Sequence, residues 1–195
     1  MLTPIDYVFG GIVLLLYIYY AWKTISQQSI RIKGKYLFLW LALLIILIAI
    51  NFSFTNIFLR FTVSTLILTI ANMVIYKNSI KQGLLLSTFS QLILLGGEFT
   101  YVFIFMVCSK SFSFPEMDTT YGKFLANVAV AFLATLILNI PFVKNTCRKL
   151  ITKYDKINNI QMIIPISILM ISVNILLALV YSRIDNLMLL TINTI

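Results

Sequence analysis

Apolar runs follow one another along the chain with only short polar interruptions. Six of them stand out, at residues 7–22, 36–50, 57–76, 83–108, 124–143 and 160–181. Each approaches the roughly 20 residues needed to cross about 30 Å of hydrocarbon as a helix. The apolar residues are continuous, whereas the strands of a membrane barrel would alternate inward and outward over about 10 residues. A helix satisfies its backbone hydrogen bonds within the segment, so it is the form such runs take in lipid. Beyond "SRIDN" the chain turns apolar again as "LMLLTINTI". The pattern predicts an all-α, polytopic membrane helix bundle, with six complete transmembrane helices plus the start of a seventh. Residues 1–195 form one membrane domain in this reading, and the stub of a seventh helix implies a continuation into the cytoplasm.

Composition strengthens the membrane assignment. Hydrophobic residues make up 61% of the chain and charged residues 11%, with a mean hydropathy of +0.99. Soluble domains lie near 45–50% and about 25%. The formal charge of +9 is unevenly spread. Lys23, Arg31, Lys33 and Lys35 follow the first segment, Lys77 and Lys81 the third, and Lys144, Arg148, Lys149, Lys153 and Lys156 the fifth. All fall on one side of a six-crossing topology. The opposite side holds Arg60, Lys110, Lys123 and Arg183 together with Asp6, Glu116, Asp118 and Asp185. The positive-inside rule makes the basic side cytoplasmic and puts the N-terminus outside. Topology thus explains the charge without a nucleic-acid partner, and the basic loops are expected to meet anionic lipid headgroups. The first segment has no basic residue ahead of it and carries Asp6, which fits a retained helix rather than a secretory signal.

The chain has no histidine, which removes the imidazole base, the histidine metal ligand and the phosphate-accepting histidine. Cys108 and Cys147 are too far apart in sequence for a metal motif. They also fall on opposite sides of the expected topology, and packing is their simplest role. No metal or cofactor is expected.

Candidate chemistry concentrates in the fourth segment, where "LILLGGEFTYVF" puts Gly96, Gly97 and Glu98 inside a lipid-soluble run. At 100° per residue, Ser87, Gln91, Glu98 and Tyr101 share an arc of about 80°. An ionised acid at mid-bilayer costs about 2.5–3.5 kcal/mol on insertion scales, so this face should turn inward. Glu98 lies about 22 Å from Gly83 along the axis, in the outer half of the membrane. It is expected to pair with Arg60, Lys110 or an interhelical amide, to touch a ligand, or to relay protons. The glycines serve either close helix packing or a kink lining a cavity. Asn72, Asn127, Asn139 and Asn174 are read as interhelical hydrogen-bond donors and acceptors. Pro141 is expected to end or bend the fifth helix, whereas Pro165 lies in the first turns of the sixth; either is a possible signalling hinge. The long outer connection "SKSFSFPEMDTTYGK" offers Phe112, Phe114, Met117 and Tyr121 either to the membrane interface or to a hydrophobic peptide. "NFSFTN", residues 51–56, has the same character.

The stretch "VIYKNSIKQGLLLSTFSQLILLGGEFTYVFIF" and the basic loop "VKNTCRKLITKYDKINN" followed by "MIIPISILMISVNILLALVYSRID" resemble the N-terminal sensor region of accessory-gene-regulator-type receptor histidine kinases of Gram-positive bacteria. The resemblance lies in layout over nearly the whole chain and is poor in motifs. It implies a quorum-sensing receptor in the cell membrane that binds an extracellular peptide signal and feeds a dimeric cytoplasmic kinase. Glu98, Arg60, Gln91, Tyr101, Phe112, Phe114 and Tyr121 are the candidate ligand-binding residues. The kinase portion is missing, so this chain is expected to sense without catalysing. The family's partner endopeptidase is excluded, because its thiolate nucleophile needs a histidine base. Two alternatives remain: the substrate-binding membrane subunit of a vitamin-type importer, and a membrane scaffold without ligand. The importer subunits often carry spaced small residues on their first helix, where this chain has Gly10 and Gly11.

Overall fold

A computed structural model of the chain describes residues 4–26, 34–53, 57–109 and 120–154, with side chains described for 8–26, 38–50, 59, 61–104 and 124–153. The described residues form six helices and no strands: α1 (Pro4–Ser26), α2 (Gly34–Ser53), α3 (Ile57–Tyr76), α4 (Ile80–Ser109), α5 (Thr120–Asn139) and α6 (Pro141–Tyr154). The first four apolar runs correspond to α1–α4, and the limits of α3 coincide with its run. The run at 160–181, the stub after it, Asn174 and Pro165 lie outside the described residues.

Local chemistry sets the helix ends. Lys77 closes α3 in the left-handed region at φ 57°, a conformation that commonly ends helices but carries a penalty for any residue with a Cβ. Two residues on, Ser79 caps α4: its hydroxyl accepts the Gln82 N–H at 3.3 Å and its carbonyl the Gly83 N–H at 2.9 Å. "SIKQ" is thus a serine cap with glutamine at the third helical position. The fifth run does not continue to residue 143. Proline has no N–H to extend the α5 ladder and its ring crowds the preceding turn. The helix stops at Asn139, Pro141 starts α6, and the axis turns by 75°. Proline is well suited to that first helical position, where its missing N–H has no intrahelical partner to lose. The stretch that follows, expected to be a basic loop, is a helix.

The helices run up and down. Tyr17 of α1 meets Ser90 of α4, Phe9 meets Phe124 with ring centroids 5.5 Å apart, and Tyr20 meets Asn139. Helix α1 is therefore antiparallel to α4 and parallel to α5. One end of the bundle gathers the starts of α1, α3 and α5 with the far end of α4. The other gathers the ends of α1, α3 and α5, the start of α4, and α6. Helix α4 is central, packed against α1, α3, α5 and α6.

Trp22 is fully buried near the α6 end, 5.8 Å from both Trp40 and Tyr76 by ring centroid. This aromatic cluster ties α1, α2 and α3 together. The bundle's outside is apolar as well: Leu16, Phe38, Ile45, Ile70 and Phe132 are all exposed. An apolar exterior of this extent is the surface a helix bundle offers to lipid. Val8–Ser26 and Ile80–Ile104 are long and apolar enough to cross a membrane, and Phe124–Asn139 with Pro141–Lys153 qualifies only as a bent pair. Phe38–Ile50 and Phe61–Tyr76 are shorter apolar helices.

Candidate functional site

Helix α4 holds its neighbours through polar groups and glycines at matching heights. Gln91 is the centre of the contact with α3. Its Oε1 accepts from the Thr65 hydroxyl at 2.7 Å and its Nε2 donates to Ser64 Oγ at 2.9 Å. Both hydroxyls also lie within reach of the Phe61 carbonyl, at 3.0 Å for Ser64 and 2.7 Å for Thr65. The Thr65 hydroxyl has one proton for two acceptors, so the network is shared rather than doubly made. Toward α1, the Tyr17 hydroxyl donates to the Ser90 carbonyl at 2.8 Å, and Ser90 Oγ donates back to Leu86 at 2.6 Å. Ser87 and Thr88 are buried between these contacts, and their hydroxyls have no partner among the described residues.

Gly97 settles the packing question on the α5 side. A Cβ there would lie 2.7 Å from the Val130 carbonyl oxygen and 2.9 Å from both the backbone nitrogen and the Cβ of Ala134. Backbone atoms cannot swing aside, so glycine is what lets the two helices approach. Gly96 is less confined, since a Cβ there would meet only Ile137 Cδ1, at 3.6 Å. The helix continues unbroken through both glycines.

Beyond Gly97 the character of α4 changes. Glu98, Thr100 and Tyr101 are half-buried and Phe103 and Ile104 exposed, whereas Leu85–Thr88, Ser90 and Gln91 are buried. The α3–α4 register brings Arg60 to a similar height: five residues back from Thr65 is Arg60, and five on from Gln91 is Gly96, two short of Glu98. The Arg60 side chain lies outside the described residues, and so does the expected Arg60–Glu98 pair. Phe112 and Phe114 also lie outside, and Tyr121 is described only as part of the first turn of α5. Of the seven expected site residues, Gln91, Glu98 and Tyr101 stand on α4, and the backbone of Arg60 lies within about one helical turn of the height of Glu98. Gln91 spends its amide on α3.

Of the amides expected to bond between helices, Asn139 does so with α1, whereas Asn72 bonds to the adjoining α3–α4 turn and its own Nδ2 has no partner among the described residues. Asn78 donates through Nδ2 to Asn72 Oδ1 at 2.8 Å, and Tyr20 donates to Asn139 Oδ1 at 2.9 Å. Asn127 is buried in α5.

The sequence reading missed a second site, at the opposite end. In α6, Val143, Cys147 and Ile151 recur every four residues and face the bundle, while Asn145, Lys149, Thr152 and Lys153 face out. Arg148 reaches back across α6 to α1, donating to the Thr24 carbonyl from Nε at 3.2 Å and from Nη2 at 2.6 Å. The guanidinium thereby satisfies a carbonyl in the last turn of α1, where cations are favoured. Beside it is a cleft of about 310 Å³ lined by Ser26, Asn78, Gln82, Arg148, Lys149 and Thr152 over an apolar floor. Burial pushes the Cys147 thiol above its ordinary range. The spacing of 143, 147, 150 and 151 carried the helical signal, but the density of charge made it read as a loop.

Comparison of the chain with protein-family models, with curated proteins and with solved structures finds no match in any of the three. The fold and composition define the class: a protein whose described residues are all-helical, with two apolar helices of membrane-crossing length among them.

Proposed function

We propose that this chain is the membrane sensor domain of a two-component receptor kinase. In this reading it is a multi-pass bundle in the cell membrane with its N-terminus outside. It binds an extracellular peptide at the end where α4 meets the 110–119 connection. The signal passes to a cytoplasmic kinase that dimerises the receptor.

The observation that carries the reading is the two-part character of α4. It is one helix of 30 residues, about 45 Å long at 1.5 Å per residue. Its lower part is locked by Gln91, Gly97 and the Tyr17–Ser90 contact. Its far end presents half-buried Glu98 and Tyr101, and its near end packs on α6. One rigid element therefore links an acidic, aromatic-flanked surface at one end to a basic helix at the other. A peptide that binds one placement of α4 better than another would shift their populations by that difference in affinity. Phe112, Phe114 and Tyr121 would supply aromatic anchors, and Arg60 with Glu98 the charge that orients the peptide.

The test uses the chain reconstituted in lipid nanodiscs and incubated with the low-molecular-weight peptide fraction of the host's spent medium. Retained peptides are identified by mass spectrometry. The expected result is enrichment of one peptide by the wild type and its loss with Glu98→Gln or Tyr101→Ala. Equal retention by wild type and both variants, or no enrichment at all, would remove the reading.

A further inference from the structure

The cleft at the α6 end is a built polar site that peptide sensing does not use. Two of its lining residues are cationic, Arg148 and Lys149, and none is acidic. Asn78 and Gln82 bring side-chain amides from the α3–α4 turn, and Ser26 and Thr152 bring hydroxyls. Arg148 is fixed in place by its two bonds to the Thr24 carbonyl. Those bonds use two of the five guanidinium N–H groups and leave three to donate. The floor is apolar, formed by Ile25, Leu86 and Ile151, and Ile80, between Asn78 and Gln82 in sequence, is exposed. Helix α6 leaves α5 at 75°, with Phe142 exposed at its first turn and Lys149 and Lys153 exposed further along. If α5 crosses the bilayer, α6 lies nearly in its plane at headgroup level, as basic amphipathic helices do.

We infer that this cleft binds a phosphate group, the chemistry shared by an anionic phospholipid headgroup and soluble phosphate. The inference rests on the membrane placement of the bundle and is independent of the peptide role. Arg148 supplies planar, directed donors and Lys149 a mobile charge. The side-chain amide of Gln82 adds a further donor, while Asn78, which donates to Asn72, forms part of the wall. A volume of about 310 Å³ is at the lower end of ligand pockets, which run from about 300 to 1,000 Å³. It suits a headgroup whose acyl chains leave past Ile80 rather than a whole lipid.

Native mass spectrometry of the full chain in detergent, titrated with dioleoylphosphatidylglycerol, dioleoylphosphatidylcholine or inorganic phosphate, tests the assignment. One phosphatidylglycerol is expected to bind, with the zwitterionic lipid weaker by about tenfold. Lys149→Gln and Gln82→Ala should each weaken phosphatidylglycerol binding severalfold, and Arg148→Gln more. Lys23→Gln, a basic residue near the end of α1 that does not line the cleft, should leave it unchanged. Lys149 is exposed, so its variant reports on binding even if Arg148→Gln unfolds α6. A site that prefers inorganic phosphate, with the same variant order and no lipid selectivity, supports the cleft and assigns it a soluble occupant. Equal weakening by Lys23→Gln and Lys149→Gln would reduce the effect to diffuse charge and overturn the proposal. Binding unchanged in all variants would do the same.

Discussion

Gly97 and Gly96 are neighbours with opposite tolerances, and the difference is set by what a single methyl would meet. At Gly97 the methyl meets the backbone of α5 at under 3 Å, so Gly97→Ala should destabilise by about 1–3 kcal/mol through forced separation of the helices. At Gly96 it meets only the tip of Ile137, so Gly96→Ala should be neutral or gain up to about 1 kcal/mol in helix propensity. Thermal unfolding of the two variants in detergent checks the order, and Gly96→Ala melting below Gly97→Ala would contradict it. Gln91→Leu should cost about 0.5–2 kcal/mol, because Thr65 and Ser64 lose their shared partner. Thr88→Val should be neutral or stabilising, since the hydroxyl it removes is buried and has no partner among the described residues. The acid in "LLGGEF" was read as an inward-facing group; it is half-buried, but so are Phe99, Thr100, Tyr101 and Val102 on every side of the helix, so burial does not single out its face. The choice between packing and kink was not legible, because it depends on how close Val130 and Ala134 come from a segment thirty-odd residues away.

At the scale of elements, α6 depends on two competing preferences. Its charged composition favours water, but Cys147 and Ile151 are buried against the bundle and Arg148 anchors it to α1. Arg148→Met keeps much of the side-chain stem while removing both donations to the Thr24 carbonyl. Hydrogen exchange in residues 141–154 should then quicken by tenfold or more, since a hydrogen bond from a charged donor is worth about 1.5–3 kcal/mol. The amides of α3 and α4 should be unaffected. Cys147 gives an independent readout. Its thiol is buried with a raised pKa, so the thiolate is scarce at neutral pH and alkylation should be slow until the pH exceeds the ordinary thiol range. The sign for stability follows: the neutral thiol is favoured in the folded state, so its contribution is complete below the unfolded thiol pKa. It is lost as pH rises through the higher folded value. Arg148→Met should speed alkylation at neutral pH, and an unchanged rate would mean that the anchor does not hold α6. The boundaries of α3 were legible because a tight turn and a serine cap follow an unbroken apolar run. The existence of α6 was hidden because basic residues between its apolar positions imitate a solvated loop, and only the break at Pro141 was visible in advance.

Over the whole molecule, alternating helix directions collect Lys23, Lys77, Lys81, Lys144, Arg148, Lys149 and Lys153 at a single end, together with the aromatic cluster of Trp22, Trp40 and Tyr76. The sequence rule that sorted these cations to one side and the helix contacts agree on which residues keep company. They differ in what they say about the membrane, since contacts identify ends and only charge assigns an inside. The cations gathered here favour anionic headgroups, so this end should lie at a headgroup layer whichever compartment it faces. Single cysteines in a Cys108→Ser, Cys147→Ser background decide the compartment. With a membrane-impermeant maleimide on intact cells, Phe112→Cys should label and Lys149→Cys should not, and permeabilisation should make Lys149→Cys react. Labelling of Lys149→Cys in intact cells would invert the topology and leave the Glu98 end facing the cytoplasm. A secreted peptide could not reach it there. The same measurement therefore bears on both proposed sites: it tells which leaflet the cleft at the α6 end faces and whether the α4 surface is open to the medium.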